Sequence, residues 1–274
     1  MPKLLNIGIV GCGAIGSSLA KVIRKEFRGQ ARISALYDLN TVKAQRLSSA
    51  VSGTKKLAVD NLDRLIAHSD LVIESASSLC SWKIAKSALS RSRDIMIMST
   101  GGIACRLKEL SSLAKAKNSR VYVPSGAIAG IDALKAAKMG RIMKVTLVTR
   151  KNPRSFAGVK IIERKKINLK AITKDTVIFS GSAKQAVKSF PQNINVAAVL
   201  SLAGIGAGKT AVKIIASPSV TKNIHEIEII SQAGRIFTRT ENIPHPDNPK
   251  TSFLAVLSAV AVLKQILVPV RIGT

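Results

Sequence analysis

Leu4 to Asp38 reads LLNIGIVGCGAIGSSLAKVIRKEFRGQARISALYD. Leu4 to Val10 is a short run rich in Leu and Ile, which predicts a buried parallel strand. Gly11-Cys12-Gly13-Ala14-Ile15-Gly16 follows, a G-x-G-x-x-G. From Ala14 to Phe27 the apolar residues Ile15, Leu19, Val22, Ile23 and Phe27 recur at helical spacing. Ala31 to Tyr37 is a second strand, and Asp38 sits at its end.

Each part suits a dinucleotide. Gly11 permits the tight strand-to-helix turn, Gly13 lets a pyrophosphate approach bare backbone, and Gly16 lets the helix pack closely on the strand. The N–H groups of the first turn, at Ala14 and Ile15, face the phosphates with the positive end of the helix dipole. Asp38, 22 residues beyond Gly16, is placed to accept hydrogen bonds from the adenosine ribose. A lone G-x-G-x-x-G is a weak signal, but strand, glycines, helix, strand and acid in that order are specific. The acid favours NAD over NADP, because a 2′-phosphate would meet it as like charge; an Arg or Lys nearby would relax that preference.

At 274 residues the chain has room for two domains, and its 46% apolar content is ordinary for a globular protein. Pro2 and Lys3 lead directly into the first strand without a signal-peptide pattern, and no apolar run reaches 18 residues. The longest, Phe253 to Leu263, is interrupted by Ser258. A cytoplasmic protein that does not span a membrane is expected. Cys12, Cys80 and Cys105 form no CxxC pair and are expected as free thiols, Cys12 as a small filler in the glycine turn. The net charge of +28 points towards polyanions. The basic residues are nevertheless dispersed, the densest cluster being Arg164-Lys165-Lys166, and aromatic residues are only 3%. No specific nucleic-acid function is expected, only nonspecific binding at low salt.

Beyond Asp38 the strand–helix alternation continues. Helices are predicted over Thr41–Ser52, Asn61–Ala67, Trp82–Leu89 and Lys108–Lys117, and strands over Leu71–Ala76, Asp94–Ser99 and Arg120–Pro124. Ser77 follows a strand on the side where open parallel sheets bind ligands, and joins the candidate cofactor residues. The rhythm changes after the small-residue crossing Ser125–Gly130 and the helix that follows it. Strands are predicted at Met143–Thr149, Val159–Ile162, Asp175–Phe179, Ala211–Ala216, His225–Ile230 and Arg235–Thr240, with helices at Ala183–Phe190 and Asn195–Leu202. The expected fold is α/β. A Rossmann-type doubly wound parallel sheet occupies residues 1–125, and an α+β substrate domain with a mixed or antiparallel sheet occupies 126–245. The terminal segment 246–274, with a helix over Ser252–Leu267, is expected to pack back on the first domain.

Ala203-x-x-x-x-Gly208-Lys209-Thr210 matches a loose phosphate-binding loop, but the order there is helix, glycines, strand, the inverse of what such a loop requires. Of the three histidines, His68 lies in a polar link and His245 between two prolines. His225 shares a strand face with Ile227 and Ile229, where a lone histidine is more often a core residue than a catalytic one. None has metal-ligand spacing around it, so no metal is expected.

Five further blocks carry a resemblance. They are Val123–Gly130, Phe190-Pro191-Gln192-Asn193-Ile194-Asn195-Val196-Ala197, Asn223-Ile224-His225-Glu226-Ile227, Glu241-Asn242-Ile243-Pro244 and Asp247–Ser252. With the glycine fingerprint, in this order and over nearly the whole chain, the sequence resembles the aspartate dehydrogenase family. The resemblance implies NAD(P)-dependent oxidation of L-aspartate to iminoaspartate, then oxaloacetate and ammonia, able to feed NAD biosynthesis. It places Ala129 and Asn195 against the dinucleotide, with Asn193 as the rival asparagine and a candidate for the substrate. The catalytic histidine maps to His225, with His245 the rival by residue type; His225 would take a proton from the substrate amine or activate water against the imine. Lys250, Thr251 and Ser252, beside the start of the terminal helix, are expected to help hold a substrate carboxylate. A homodimer is expected. The strong positive charge is no hallmark of the family. A different amino- or imino-acid dehydrogenase, and a non-enzymatic dinucleotide-binding protein that uses its charge on nucleic acid, remain as other readings.

Overall fold

The computed structural model describes residues 4–53, 56–190, 194–246 and 248–273, with 248–250 as backbone only. The chain divides into two units: the residues up to Pro124 together with Val256–Arg271, and Ser125–Ala255 with the residues from Ile272 on.

In the first unit the elements run β1 (Leu5–Val10), α1 (Ala14–Glu26), β2 (Ala31–Tyr37), α2 (Thr41–Ser52), α3 (Leu62–Ala67), β3 (Leu71–Glu74), α4 (Ser81–Ser90), β4 (Asp94–Ile97), α5 (Leu107–Ala116) and β5 (Val121–Tyr122). The strands form one sheet in the order β2-β1-β3-β4-β5, with every neighbouring pair parallel. The order reverses between β1 and β3, and a crevice opens there at the carboxyl ends of the strands. The strands read as apolar runs because both faces are covered. Ile7, Ile9, Leu71, Ile73 and Met96 pack on one face with Leu19 and Ile23 of α1, Leu47 of α2, and Val256, Ala259 and Leu263 of the terminal helix. On the opposite face, Leu65 of α3 lies so close to Gly8 that a Cβ there would be 2.7 Å from its side chain.

The second unit contains α6 (Ile131–Ala137), β6 (Ile142–Lys151), α7 (Lys160–Arg164), β7 (Thr176–Ser182), α8 (Ala183–Ser189), α9 (Asn195–Ala203), β8 (Ala211–Ala216), β9 (Asn223–Ser231), β10 (Gly234–Asn242), β11 (Pro244–His245) and β12 (Asn248–Ser252). Its main sheet has the order β10-β9-β6-β8-β7, antiparallel throughout except for the parallel pair β6/β8. The mixed sheet lays one apolar face, with Val145, Leu147, Val212, Ile214, Ile227 and Ile229, against Phe156, Phe190, Ala197 and Leu200. The terminal helix α10 spans Phe253–Leu267.

Two expectations need correction. Val159–Ile162 is not a strand; it leads into α7, where Ile161 and Ile162 are both buried. A strand would turn one of two adjacent isoleucines outward, whereas a single helical turn buries both; a four-residue apolar run does not distinguish the two by period. His225 does not open its strand, because Asn223 and Ile224 already pair with Asn242 and Glu241 of β10. The structure also contains the short antiparallel pair β11/β12, which includes His245 in the extended segment between its two prolines.

Candidate active site

The glycine turn joins β1 to α1, and each glycine meets a different environment. Gly11 has φ +92°, and a Cβ there would lie 2.6 Å from the carbonyl carbon and oxygen of Ser75. At Gly16 it would lie 2.0 Å from the Gly11 carbonyl, which is how closely α1 passes over the turn. At Gly13 it would meet nothing within 4 Å. Gly11 and Gly16 are therefore demanded by the fold, whereas the bare backbone of Gly13 faces open space. Gly13 is the N-cap of α1 and supplies no side-chain cap to its first turn, which carries Ala14, Ile15 and Gly16, so the leading N–H groups suit an anion.

Asp38 follows β2 directly, beside this turn. Its Oδ2 accepts from the Cys12 N–H at 2.8 Å and its Oδ1 from the Asn40 N–H at 2.8 Å. Two backbone bonds fix the carboxylate, and each oxygen retains a lone pair for a hydroxyl. A cleft of about 710 Å³ is lined by Gly11, Gly13, Asp38 and Ser77, and also by Lys43 and Lys83. Glycine turn, ribose-type acid and cleft meet at the switch point of the sheet, and these residues fit a dinucleotide. Burial, with the Asp38 charge adding to it, pushes the Cys12 thiol up to about 12, so it is an inert filler and not a thiolate.

Glu74, the last residue of β3, is fully buried. Its Oε1 accepts from the Ala76 N–H at 2.9 Å and its Oε2 from the Ser99 N–H at 3.0 Å, tying together the loops that leave β3 and β4. Burial raises its pKa against those hydrogen bonds.

In the second unit, His225 is 4% exposed and faces the core side of β9 with Ile227 and Ile229. Thr149 of β6 is its directly paired neighbour, and the Thr149 Oγ1 lies 3.0 Å from His225 Nδ1. Lys151, two residues further along β6 and on the same face, is 7% exposed. Desolvation lowers the His225 pKa to about 3, with the Lys151 charge adding to the shift, and lowers that of Lys151 to about 8. Glu226 points the other way, held by Arg150 and by Arg239 at 2.7 Å, so it does not orient the imidazole.

On the other side of β9, Thr240 pairs with His225 and donates to the Ala127 carbonyl at 3.1 Å. Asn242 donates to the same carbonyl at 3.0 Å, and Thr238 to that of Ala129 at 3.3 Å. The segment carrying Ala129 is thus stitched to β10, the strand next to His225. Asn195 is the first residue of α9, and its neighbours Ile194, Val196 and Ala197 line a small hollow with Thr149 and Lys151. The second unit therefore brings His225, Thr149, Lys151 and the start of α9 to one face of the sheet. Ser252 is buried and spends its hydroxyl on Asn242 Oδ1 at 2.8 Å; Thr251 precedes it in β12. Asn193 and the Lys250 side chain lie outside the described residues. His245, also buried, stacks edge-on against Phe253 at 5.7 Å. At Gly208-Lys209-Thr210 the order is α9, glycines, β8, which is not that of a phosphate-binding loop.

Residues 132–266 match the family model described as aspartate dehydrogenase, C-terminal, and residues 11–124 match that of the homoserine dehydrogenase NAD binding domain. The L-aspartate dehydrogenase of Methanosarcina barkeri is 44% identical over 273 residues, covering 99% of this chain and 100% of the relative. The chain belongs to the aspartate dehydrogenase family. A relative of the same name from Nitrosopumilus maritimus is 40% identical over 266 residues, covering 95% of this chain and 96% of its own. The crystal structure of aspartate dehydrogenase from Thermotoga maritima superposes with a TM-score of 0.72 at 26% identity, covering 99% of this chain and 100% of that one. As a member of this family the protein is an oxidoreductase with a pyridine nucleotide cofactor. Among the described residues, no helix is long and apolar enough to cross a membrane.

Thr149, Lys151 and Glu74 escaped the sequence reading. One signal was available for Lys151. The alternation of β6 buries Val145, Leu147 and Thr149, and one more step places a lysine on the buried register. Thr149 carries no such mark, since threonine is at home in any strand.

Proposed function

We propose that this protein is an NAD(P)-dependent L-aspartate dehydrogenase. It oxidises the amino-bearing carbon of L-aspartate to iminoaspartate, which hydrolyses to oxaloacetate and ammonia or feeds NAD biosynthesis. A bound nicotinamide supplies the hydride acceptor. Gly11, Gly13, Asp38 and Ser77 hold the dinucleotide, Ala129 and Asn195 contact it, and NAD is preferred through Asp38.

The observation that carries the reading, within a chain of this family, is a buried histidine kept neutral and gripped at one nitrogen by a threonine hydroxyl. Neutral imidazole can accept a proton; imidazolium cannot. For Nε2 to be the accepting atom, Nδ1 must carry the ring proton and donate it to Thr149 Oγ1. Thr149 thus selects the tautomer as well as the orientation, and His225 takes the proton released by the substrate amine or by attacking water.

The test is steady-state turnover with a panel of L-amino acids and both cofactors. L-Aspartate should give the highest kcat/KM, and His225→Ala should lower kcat by about 100-fold or more with cofactor affinity little changed. His245→Ala should disturb packing on Phe253 and leave kcat near that of the wild type. Turnover of another amino acid with none of aspartate would replace the substrate. A folded, active His225→Ala beside an inactive His245→Ala would transfer the role to His245.

A further inference from the structure

Arg93 Nε and Ser34 Oγ, both in the first unit, are buried without a hydrogen-bond partner among the described residues, and both residues line the same cavity. Burying an unpaired donor is costly, the more so on a charged group. The cavity has a volume of about 320 Å³, at the low end of the range for small-molecule sites, about 300–1,000 Å³. It lies at the amino ends of the parallel strands. Asn6 and Arg32 are the second residues of β1 and β2, and Asp70 and Arg93 immediately precede β3 and β4. The glycine turn and its cleft lie at the opposite, carboxyl ends. Ser34 is the extra residue of a bulge: Ile7 pairs with Ile33 and Gly8 with Ala35, so no residue of β1 opposes it. Bulges re-aim side chains, and this one carries a hydroxyl. Asp70 brings a negative charge to the same wall, but its Oδ2 is spent on Asn6, whose N–H and Nδ2 donate to it at 3.0 and 2.8 Å. Arg32 Nε donates to Asn6 Oδ1 at 2.7 Å, whereas Arg93 Nη1 stands 4.0 Å from Asp70 Oδ1, too far for a hydrogen bond.

We propose that this cavity is a second ligand site, one that binds a phosphate group, free or on a small phosphomonoester, through Arg93, Arg32 and the Ser34 hydroxyl. An oxyanion against the Nε edge of Arg93 supplies the acceptor that this edge lacks, in the two-pronged geometry by which guanidinium groups hold phosphate. In the strand order, β2 and β4 are separated by β1 and β3, a span of about 14 Å. The two arginines therefore approach the space from opposite sides. Donors arriving from opposite sides suit a tetrahedral anion with oxygens in every direction better than a planar carboxylate. The site stands apart from the cofactor and does not depend on which amino acid the protein oxidises.

The experiment titrates inorganic phosphate, glycerol 3-phosphate and acetate into the full-length protein by calorimetry. Ionic strength is held constant with NaCl, and NADH is saturating so that the nucleotide cleft is filled. The wild type should bind phosphate or glycerol 3-phosphate saturably, one per chain, and acetate about 10-fold or more weakly. Arg93→Gln should weaken phosphate binding about 10- to 100-fold, the loss of a hydrogen bond to a charged group. Ser34→Ala should weaken it about 2- to 10-fold, the loss of a neutral one. Arg32→Gln should also weaken it, and because that side chain is exposed, this variant carries the test if Arg93→Gln does not fold. NADH affinity measured without phosphate should stay within about twofold of the wild type in all three. Tighter binding of glycerol 3-phosphate than of phosphate would support the site as one for a phosphomonoester, and the reverse order would support it as one for the free anion. Acetate bound as tightly as phosphate would make it a carboxylate site. Equal phosphate affinity in the wild type, Arg93→Gln and Arg32→Gln would place the anion elsewhere on a chain of net charge +28. Either result overturns the proposal, as does the absence of saturable binding, and none of them touches the dehydrogenase reading, which stands or falls on turnover of L-aspartate.

Discussion

Replacing Gly13 by alanine should leave the fold intact and damage the cofactor site, while the same change two residues earlier should do the reverse. Gly13 has φ −77° and ψ −164°, extended backbone open to any residue, and an added Cβ would meet nothing within 4 Å. Stability should then stay within about 0.5 kcal/mol of the wild type. The methyl would stand where the pyrophosphate must approach. Loss of one hydrogen bond to a charged phosphate costs about 1.5–3 kcal/mol, so the Kd for NADH should rise roughly 10- to 100-fold. Gly11→Ala places a side chain at φ +92° and 2.6 Å from the Ser75 backbone. The left-handed conformation costs about 1–2 kcal/mol, and overpacking adds about 1–3 kcal/mol. At about 2–4 °C per kcal/mol, the Tm should fall by roughly 5–20 °C. Thermal melting and fluorescence titration with NADH, on both variants, read the two effects separately. A folded Gly13→Ala protein that binds NADH as the wild type does would show that the dinucleotide does not cross the turn at Gly13. A Gly11→Ala protein as stable as the wild type would refute the steric account of the turn.

Asp38→Ala should weaken NAD and shift selectivity towards NADP, the more so because Lys43 and Lys83 line the same cleft; identical NAD/NADP ratios of kcat/KM in wild type and variant would show that the carboxylate does not face the ribose. Thr149→Val keeps the shape and removes the hydroxyl from His225 Nδ1, and should lower kcat about 10-fold or more without changing NADH affinity; unaltered kcat would mean that packing alone orients the ring. The His225 pKa is depressed from 6.5 to about 3 on folding, so the unfolded chain binds the additional proton between those values. Its contribution to stability is fully present above about pH 6.5 and is lost as pH falls towards 3, and a His225→Asn variant should show a shallower decline of Tm over that window. A wild type and variant with parallel Tm–pH curves would show that His225 is not buried as a neutral ring.

Much of this protein is legible before it folds. The run from Leu5 to Asp38 states its own structure because its signals are local: a strand buried on both faces is apolar throughout, a left-handed turn demands glycine at Gly11, and α1 repeats its apolar residues with the helical period. The five-stranded parallel sheet follows from repetition of that unit. The alternation of β9 likewise put His225 on the face of Ile227 and turned Glu226 away from it, as the Arg150 and Arg239 pairs show. Where the local signal was short, as at Val159–Ile162, period could not tell strand from helix, and burial of both isoleucines decided for α7.

What only the tertiary structure decided is which strands lie side by side. Thr149 and His225 are 76 residues apart in the chain, and nothing in either stretch names the other. The antiparallel register of β6 with β9 makes them neighbours, and the same register carries Lys151 to the same face. Asp38 reaches the Cys12 N–H, and Ser252 reaches Asn242, by the same means. Helices and strands are written in the sequence because helix hydrogen bonds, and the side-chain periods of both elements, close over a few residues. The site is not, because its charges are set by desolvation and pairing across strands, and those depend on which distant segments share a buried face.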